Sequence, residues 1–494
     1  MKEFNLFLDN KLTIGQIEPT LFSSFIEHLG RAVYTGIYEP DHPEADEDGY
    51  RKDTIALIKE LGVTLVRYPG GNFVSGYNWE DGIGPKDQRV PRLDLAWHAL
   101  EPNTFGTDEF MKWCKKAEVA PIMAVNLGTG TPQSAGELVE YCNTEPIAKY
   151  GKIREKNGQK QPYNVKYWCL GNEMDGFWQI CHMDAKSYAE KALEAAKMMR
   201  WVDPSIKLVA CGSSSMYMPS FPEWDKTVLE KLYDKINYIS MHQYYKHEKD
   251  EPIEYFFASY KEMEEFINLM SSAIADAKAS VGSKKQVYIS FDEWNVWNPD
   301  GTIYQDWAFA RHQDEMKYSF KDALVVGGLL NSLINHADIV KIACLAQLVN
   351  VIAPILTEVG GKAIRQTIFY PFKYAANNAK GRALKGTLKC DSFNGKRGKA
   401  EDISYSASID ENGITLFLIN YSKDDYKGEI ELLGLDQLQL LEALEMQYEL
   451  DYKNDFENPD CVIPVKKDNI AVFGNRVNLS LKGYSWNFLK LSLK

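Results

Sequence analysis

Short apolar blocks recur along the first three quarters of the chain, and most end on a polar side chain or a glycine. "LFSSFIEHLG" ends at Glu27, "GVTLVRYPGGN" at Arg67 and Asn72, "APIMAVNLGTG" at Asn126 and "NVKYWCLGNE" at Glu173. "IKLVACGSSS" ends at Ser213, "INYISMHQYY" at His242 and Tyr244, "QVYISFDEWN" at Glu293 and "IVKIACLAQL" at Gln347. Continuous rather than alternating hydrophobicity fits strands buried on both faces. Between most blocks lie stretches such as "DTIALIKELG" and "MDAKSYAEKALEAAKMMRWV", whose apolar residues fall three and four apart, the spacing of an amphipathic helix. Strand, helix and strand in repetition predict parallel pairing through right-handed crossovers, and eight such units predict a closed (β/α)8 barrel, an α/β fold of the TIM type. An open doubly wound sheet is the competing fold. Its glycine fingerprint is incomplete in "GTGTPQ", where Gln133 stands in the place of the third glycine and Pro132 precedes it.

The pattern changes after about residue 375. "ISYSASI" alternates apolar residues with serine, "DENG" follows as a turn, and "ITLFLIN" returns, which predicts a half-buried hairpin. "RVNLSLKGYSWNFLKLSL" reads as two further strands, and Phe4, Leu6 and Leu8 alternate in another at the start of the chain. The expected organisation is a catalytic barrel over residues 16–375 and a jelly-roll-like β-sandwich over 376–494, joined by an N-terminal strand over 1–15.

Composition narrows the possible partners. The 494 residues carry a formal charge of −13, with no basic block, which argues against nucleic acid and anionic membrane surfaces. No run of about twenty apolar residues suggests a membrane span. The opening "MKEFNLFLDN" does not read as a signal peptide, so a cytoplasmic location is expected. The 8 cysteines are scattered without a C-x-x-C pair, as reduced core thiols would be.

Barrel enzymes assemble their sites at the C-terminal ends of strands. Glu173 ends the fourth block and Glu293 the seventh, and strands four and seven are expected to face each other across the barrel. Paired carboxylates suit glycoside hydrolysis: one protonates the leaving oxygen, and the other attacks the anomeric carbon or activates water. Trp178, Trp294 and Trp297 offer faces for sugar rings, and Asn72, Asn172 and Gln347 offer amides for hydroxyls. Each residue alone also has a blander role. A glutamate after a strand is more often a surface residue or a helix cap, Trp178 more often packs than stacks, and Arg67 can simply pair with a neighbouring carboxylate. His242 and His247 lack a third ligand at metal spacing, so no metal is expected. Asp292 and Glu293 are adjacent, and strict alternation puts them on opposite faces. Pattern alone therefore does not choose between them.

The chain resembles the α-L-arabinofuranosidases of glycoside hydrolase family fifty-one nearly end to end. The likeness is carried by "FIEHLGRAVYTGIYEP", "LVRYPGGNFVSGYNWEDGIGP", "RLDLAWHALEPNTFGTDEF", "WCLGNEMDGFWQICHM", "ISMHQYY", "FDEWNVWN" and "ACLAQLVNVIAPI". The resemblance implies a retaining exo-enzyme that removes terminal α-L-arabinofuranosyl groups from arabinan or arabinoxylan oligosaccharides, with no cofactor and commonly as a hexamer. It implies that Glu173 is the general acid/base and Glu293 the nucleophile, with Asp292 in support. By the same resemblance Asn172 meets the sugar 2-hydroxyl, Glu27 and Asn72 grip the furanose hydroxyls, and Gln347 contacts the sugar from strand eight. Tyr244 holds the nucleophile with His242 beside it, and Trp97 and Trp178 border the leaving group. The segment after "NVWNPDG" is shorter than is common in relatives, which bears on the outer subsites. Two alternatives stand beside this reading. One is an endo-glucanase or β-xylosidase on the same scaffold. The other is a carbohydrate-binding protein without catalysis, which the presence of both carboxylates argues against.

Overall fold

The computed structural model describes residues 2–299 and 301–492. Asp300, in the segment after "NVWN", lies outside the described residues. Eight parallel strands close into a barrel: β1 (Ser23–Phe25), β2 (Leu65–Tyr68), β3 (Ala120–Val125), β4 (Tyr167–Leu170), β5 (Lys207–Ala210), β6 (Tyr238–Tyr245), β7 (Tyr288–Val296) and β8 (Val340–Ala346). They pair in sequence order, and β8 closes on β1. The two stretches singled out for helical spacing become helices Lys52–Leu61 and Ala185–Val202. The second starts where the Asp184 side chain accepts from the Ser187 amide at 3.0 Å, which satisfies one of the free N–H groups of its first turn.

Three expectations are corrected here. First, β4 and β7 do not face each other. Only β5 and β6 separate them on one side, so residues from β6 fall between the two carboxylates. Second, β7 does not alternate strictly. Its register against β6 slips between Ser290 and Glu293, and against β8 between Phe291 and Trp294. A bulge of this kind re-aims side chains, and both Asp292 and Glu293 end up buried on the site side. Third, the "ISYSASI" hairpin is not half-buried. Its serine face packs on the helix Phe320–Ile334, where Asn331 donates to Ser404 Oγ at 3.1 Å and accepts from Ser406 Oγ at 2.7 Å. That helix is apolar on every side because the barrel covers one face and the second sheet covers the other.

The second sheet has ten strands. The N-terminal strand Lys2–Gln16 lies inside it, antiparallel to Arg382–Lys389 and parallel to Tyr426–Leu433. Phe4, Leu6 and Leu8 join Leu416, Leu418, Ile430 and Leu489 in one apolar cluster, the core of the β-sandwich. Gly327 and Gly328 allow the barrel helix to approach this sheet: a β-carbon on Gly328 would sit 1.9 Å from the Tyr421 hydroxyl.

Candidate active site

A cavity of about 490 Å³ opens at the C-terminal end of the barrel. Nine of the side chains singled out from sequence line it: Glu27, Asn72, Trp97, Glu173, Trp178, Tyr244, Glu293, Trp297 and Gln347. Arg67, Asn172 and His242 sit behind that lining, all buried.

Glu293, within β7, accepts from Arg67 Nη1 at 2.8 Å and from the Tyr244 hydroxyl at 2.8 Å. Burial alone would raise its pKa. The charges of His242 and Arg67 and the hydrogen bonds from Tyr244 and Arg67 outweigh burial and hold it below the ordinary carboxylate value. Arg67 reaches Asn172 Oδ1 with its other terminal nitrogen, its Nε lies 4.0 Å from Asp292 Oδ2, and its guanidinium stacks 4.8 Å from the Phe25 ring centroid. Asp292 accepts from Ser290 Oγ and, at 3.5 Å, from Cys169 Sγ, so it packs beneath the site.

Glu173 lies three residues past β4 in a sharp turn. Gly171 adopts φ +87° and Glu173 itself φ +45°, the left-handed region that a side chain disfavours by roughly 1–2 kcal/mol. The turn swings the carboxyl back over the barrel. Trp178 Nε1 donates to Oε2 at 2.6 Å, and His242 Nδ1 lies 2.9 Å from Oε1. Trp178 therefore engages the glutamate through its indole edge, which neither packing nor sugar stacking anticipated. His242 is also 3.7 Å from Glu293. Burial opposes its charge, but the two carboxylates prevail and hold its pKa above the usual imidazole value.

On another wall, Glu27 is buried and its pKa is pushed up to about 8, chiefly by desolvation, with the charges of Glu293 and Asp94 adding to it. The Phe73 amide at 2.8 Å and Trp97 Nε1 at 2.9 Å both donate to Oε1 and offset this only in part. Gln347 Oε1 accepts from the Glu27 backbone N–H at 3.0 Å. The glycines of "PGGN" have a steric reason, since a β-carbon on Gly71 would lie 2.4 Å from Glu27 Oε2.

Other expected residues fall elsewhere. Trp294 is fully buried in the barrel core and offers no face to a ligand. Trp297 does line the cavity, pinned by a 3.0 Å bond from its Nε1 to Asp314. Ser213 turns away to Asp225, at 2.6 Å through Oγ, and Asn126 braces its own loop through Tyr77 and Thr129. His247 stacks on Phe256. Ser214, Ser215, Gln243 and Asp314 line the cavity without having been singled out. The serine run and the neighbourhood of His242 carried a signal for the first three. Asp314 lies in an irregular connection with no periodicity to read.

Glu173, His242 and Glu293 bring ligand-type atoms within 4.8 Å of one another. Their partners are already set: His242 faces Glu173, and the Arg67 cation occupies Glu293 where a metal would bind. The acidic group Asp46, Glu47 and Asp48 is filled in the same way by Lys116 Nζ, at 2.6, 2.9 and 2.7 Å.

Comparison with known proteins places the chain in a family. The family described as "Alpha-L-arabinofuranosidase 1 domain" matches residues 57–266, and "Alpha-L-arabinofuranosidase C-terminal domain" matches residues 292–485. The intracellular exo-α-(1→5)-L-arabinofuranosidase 1 of Bacillus subtilis is 45% identical over 99% of both chains. The exo-α-(1→6)-L-arabinofuranosidase of Bifidobacterium longum is 48% identical over 86% of this chain and 84% of its own. The solved structure of a family 51 α-L-arabinofuranosidase from Bifidobacterium longum superposes with a TM-score of 0.95 at 40% identity, over 99% of both chains. With matches of this length and identity, the chain belongs to the α-L-arabinofuranosidases of glycoside hydrolase family 51.

Proposed function

We propose that the protein is a retaining, exo-acting α-L-arabinofuranosidase that removes terminal non-reducing arabinofuranosyl groups from arabinan or arabinoxylan oligosaccharides by double displacement. The observation that carries this is the carboxylate pair: one oxygen of Glu173 and one of Glu293 lie within 4.8 Å of each other. Retaining pairs are separated by about 5–5.5 Å, whereas inverting pairs stand about 6.5–9.5 Å apart to admit water. In this reading Glu293, ionised by Arg67 and Tyr244, attacks the anomeric carbon. Glu173 protonates the leaving oxygen and then takes a proton from the water that releases the sugar. Glu27, Asn72, Trp97 and Gln347 hold the arabinofuranose. Asn172 reaches its 2-hydroxyl through an amide that Gln179 holds only loosely, at 3.5 Å. Trp178 borders the leaving group and steers Glu173, and His242 sets the charge between the carboxylates. A cavity of about 490 Å³ walled by Glu27, Trp97 and Gln347 suits one terminal sugar better than the long cleft that an endo-glucanase requires.

We extend the proposal to the organisation of the chain: a catalytic barrel over 16–375, a sandwich over 376–494 with residues 1–15, a hexameric assembly and a cytoplasmic location. Light scattering of the purified protein tests the assembly. Among the described residues no helix is long and apolar enough to cross a membrane.

A panel of nitrophenyl glycosides tests the activity. The α-L-arabinofuranoside is expected to be cleaved far faster than the β-xyloside or β-cellobioside, and NMR of the first-formed sugar should show the starting anomer. Release of the opposite anomer overturns the double displacement.

Glu293→Ala and Glu173→Ala should fail differently. Loss of Glu293 removes the intermediate and abolishes turnover of every substrate. Loss of Glu173 costs about 10²–10⁴-fold on oligosaccharides, but much less in the first step on a dinitrophenyl glycoside, whose leaving group needs no proton. Azide should then restore turnover. Equal losses on both substrates would contradict the assignment.

Tyr244→Phe removes a donor to the charged form of Glu293, so that carboxyl should titrate at higher pH. The acidic limb of the kcat/KM profile is expected to move upward while the basic limb holds. A change confined to KM would make Tyr244 a substrate contact alone.

Glu27 generates a prediction in the alkaline range. Its raised pKa makes the neutral acid the form present at pH 7, and the charge appears as pH passes about 8. Oε1 already takes two donors, so the proton falls to Oε2, where it can be given to a sugar hydroxyl. Competitive inhibition by L-arabinose should therefore weaken between pH 7 and 9 in the wild type. Glu27→Gln keeps a donor at every pH and should flatten that dependence. An identical slope in the two proteins would locate the titration elsewhere.

A further inference from the structure

A second cavity, of about 360 Å³, adjoins the first. Gln243 and Tyr244 line both. Both shared residues belong to β6, which lies between β4, the strand that precedes Glu173, and β7, the strand that carries Glu293. Ser215, in the first cavity, donates to Gln243 Oε1 at 2.9 Å, and the Tyr217 amide donates to Ser215 Oγ at 3.1 Å. Tyr217 stands at the second cavity with half its surface exposed, and its hydroxyl donates to Glu262 at 2.9 Å. Tyr245, the last residue of β6, lines the same space, is 3% exposed, and among the described residues its hydroxyl has no hydrogen-bond partner. The hydroxyl oxygen itself is closed to solvent, so Tyr245 forms part of the wall and offers no hydrogen bond to a ligand in the cavity.

The far wall comes from the second domain. The hairpin of Ser392–Gly395 and Gly398–Glu401 brings Lys396 to Glu251 at 2.9 Å, and Arg397 bonds Glu265 at 2.6 Å while lying 5.8 Å from the Tyr217 ring centroid. Lys246 is likewise paired, with Glu248 at 2.5 Å. The cations of the lining are thus already neutralised. What the cavity presents is aromatic side chains and paired charges, a chemistry suited to a neutral ligand rich in hydroxyls and poorly suited to an anion.

We infer that this second cavity is a distal subsite for the remainder of the oligosaccharide chain, with Tyr217 as its stacking platform. The inference rests on the activity proposed above and adds a determinant of chain length. The first cavity takes the sugar that is removed. The units beyond the cleaved bond pass over Ser215 and Gln243 and settle between Tyr217 and the hairpin of the second domain.

The test compares a nitrophenyl α-L-arabinofuranoside with α-(1→5)-linked arabinobiose, arabinotriose and arabinotetraose. In the wild type kcat/KM should rise with chain length through a falling KM. Tyr217→Ala should lower kcat/KM on the tetraose by about tenfold, the loss of an aromatic contact. It should stay within about twofold of wild type on the aryl substrate, and Tyr217→Phe should restore activity on the tetraose. A wild type that cleaves the aryl glycoside but shows no dependence on chain length overturns the inference alone. So does a Tyr217→Ala variant that keeps the dependence, or one that loses equally on all substrates. A wild type that leaves the aryl arabinofuranoside untouched overturns the parent reading, and this subsite with it.

Discussion

One buried cation organises the barrel mouth. Arg67 leaves β2 inside an apolar barrel and meets Glu293 directly, Asp292 at a longer distance and the Asn172 carbonyl. Two adjacent carboxylates buried without a cation would each face a desolvation cost of several kcal/mol and would take up protons instead. With Arg67 present, Glu293 keeps its charge although it is buried. The role of nucleophile proposed for it needs that charge. The same guanidinium holds Asn172, the middle residue of the turn that carries Glu173. The contact that ionises one glutamate thus also positions the other.

The roles proposed for the two glutamates make opposite demands, and their surroundings differ accordingly. Glu293 receives donors from Arg67 and Tyr244, neither of which gives up its proton at neutral pH. Glu173 has one fixed donor, the Trp178 indole, and one variable neighbour, His242. An imidazole can donate or accept at Nδ1, so it can face Glu173 in either protonation state. This is the versatility required of a group that gives a proton in one step and takes one in the next. The absence of a partner at His242 Nε2 among the described residues leaves that choice free of a competing hydrogen bond.

Much of this was legible in the residue pattern, and the exceptions have definite causes. Continuous apolar blocks ending in polar residues located all eight barrel strands, because strands covered on both faces need such blocks. The strand ends then located most of the cavity lining. Alternation failed at Asp292 and Glu293 because a bulge in β7 inserts a residue, and nothing in "ISFDEWNV" marks a bulge. It failed again at Ser404 and Ser406, where a polar face meets Asn331 rather than water. Trp294 was misplaced for the first of these reasons. Asp314 and the second cavity were invisible because they depend on irregular connections, and on a hairpin about a hundred residues away in sequence from β7.

The second domain is more than an appendage to the barrel. Helix Phe320–Ile334 connects β7 to β8, yet its outer face is core to the sandwich, with Gly327 and Gly328 against Trp486 and Tyr421. Removing the sandwich would expose an apolar helix face and leave the Asn331 amide without its serine partners. The N-terminal strand adds a further tie, since the chain enters the sandwich before it enters the barrel. The matched C-terminal family region follows the same physical unit: it begins at residue 292, inside β7, and not at the change in residue pattern near 375. The strand that carries Glu293, the helix behind it and the sandwich that covers the helix are one packed body. The sheet behind the barrel therefore backs, through this helix, the strand on which Arg67 and Tyr244 hold Glu293.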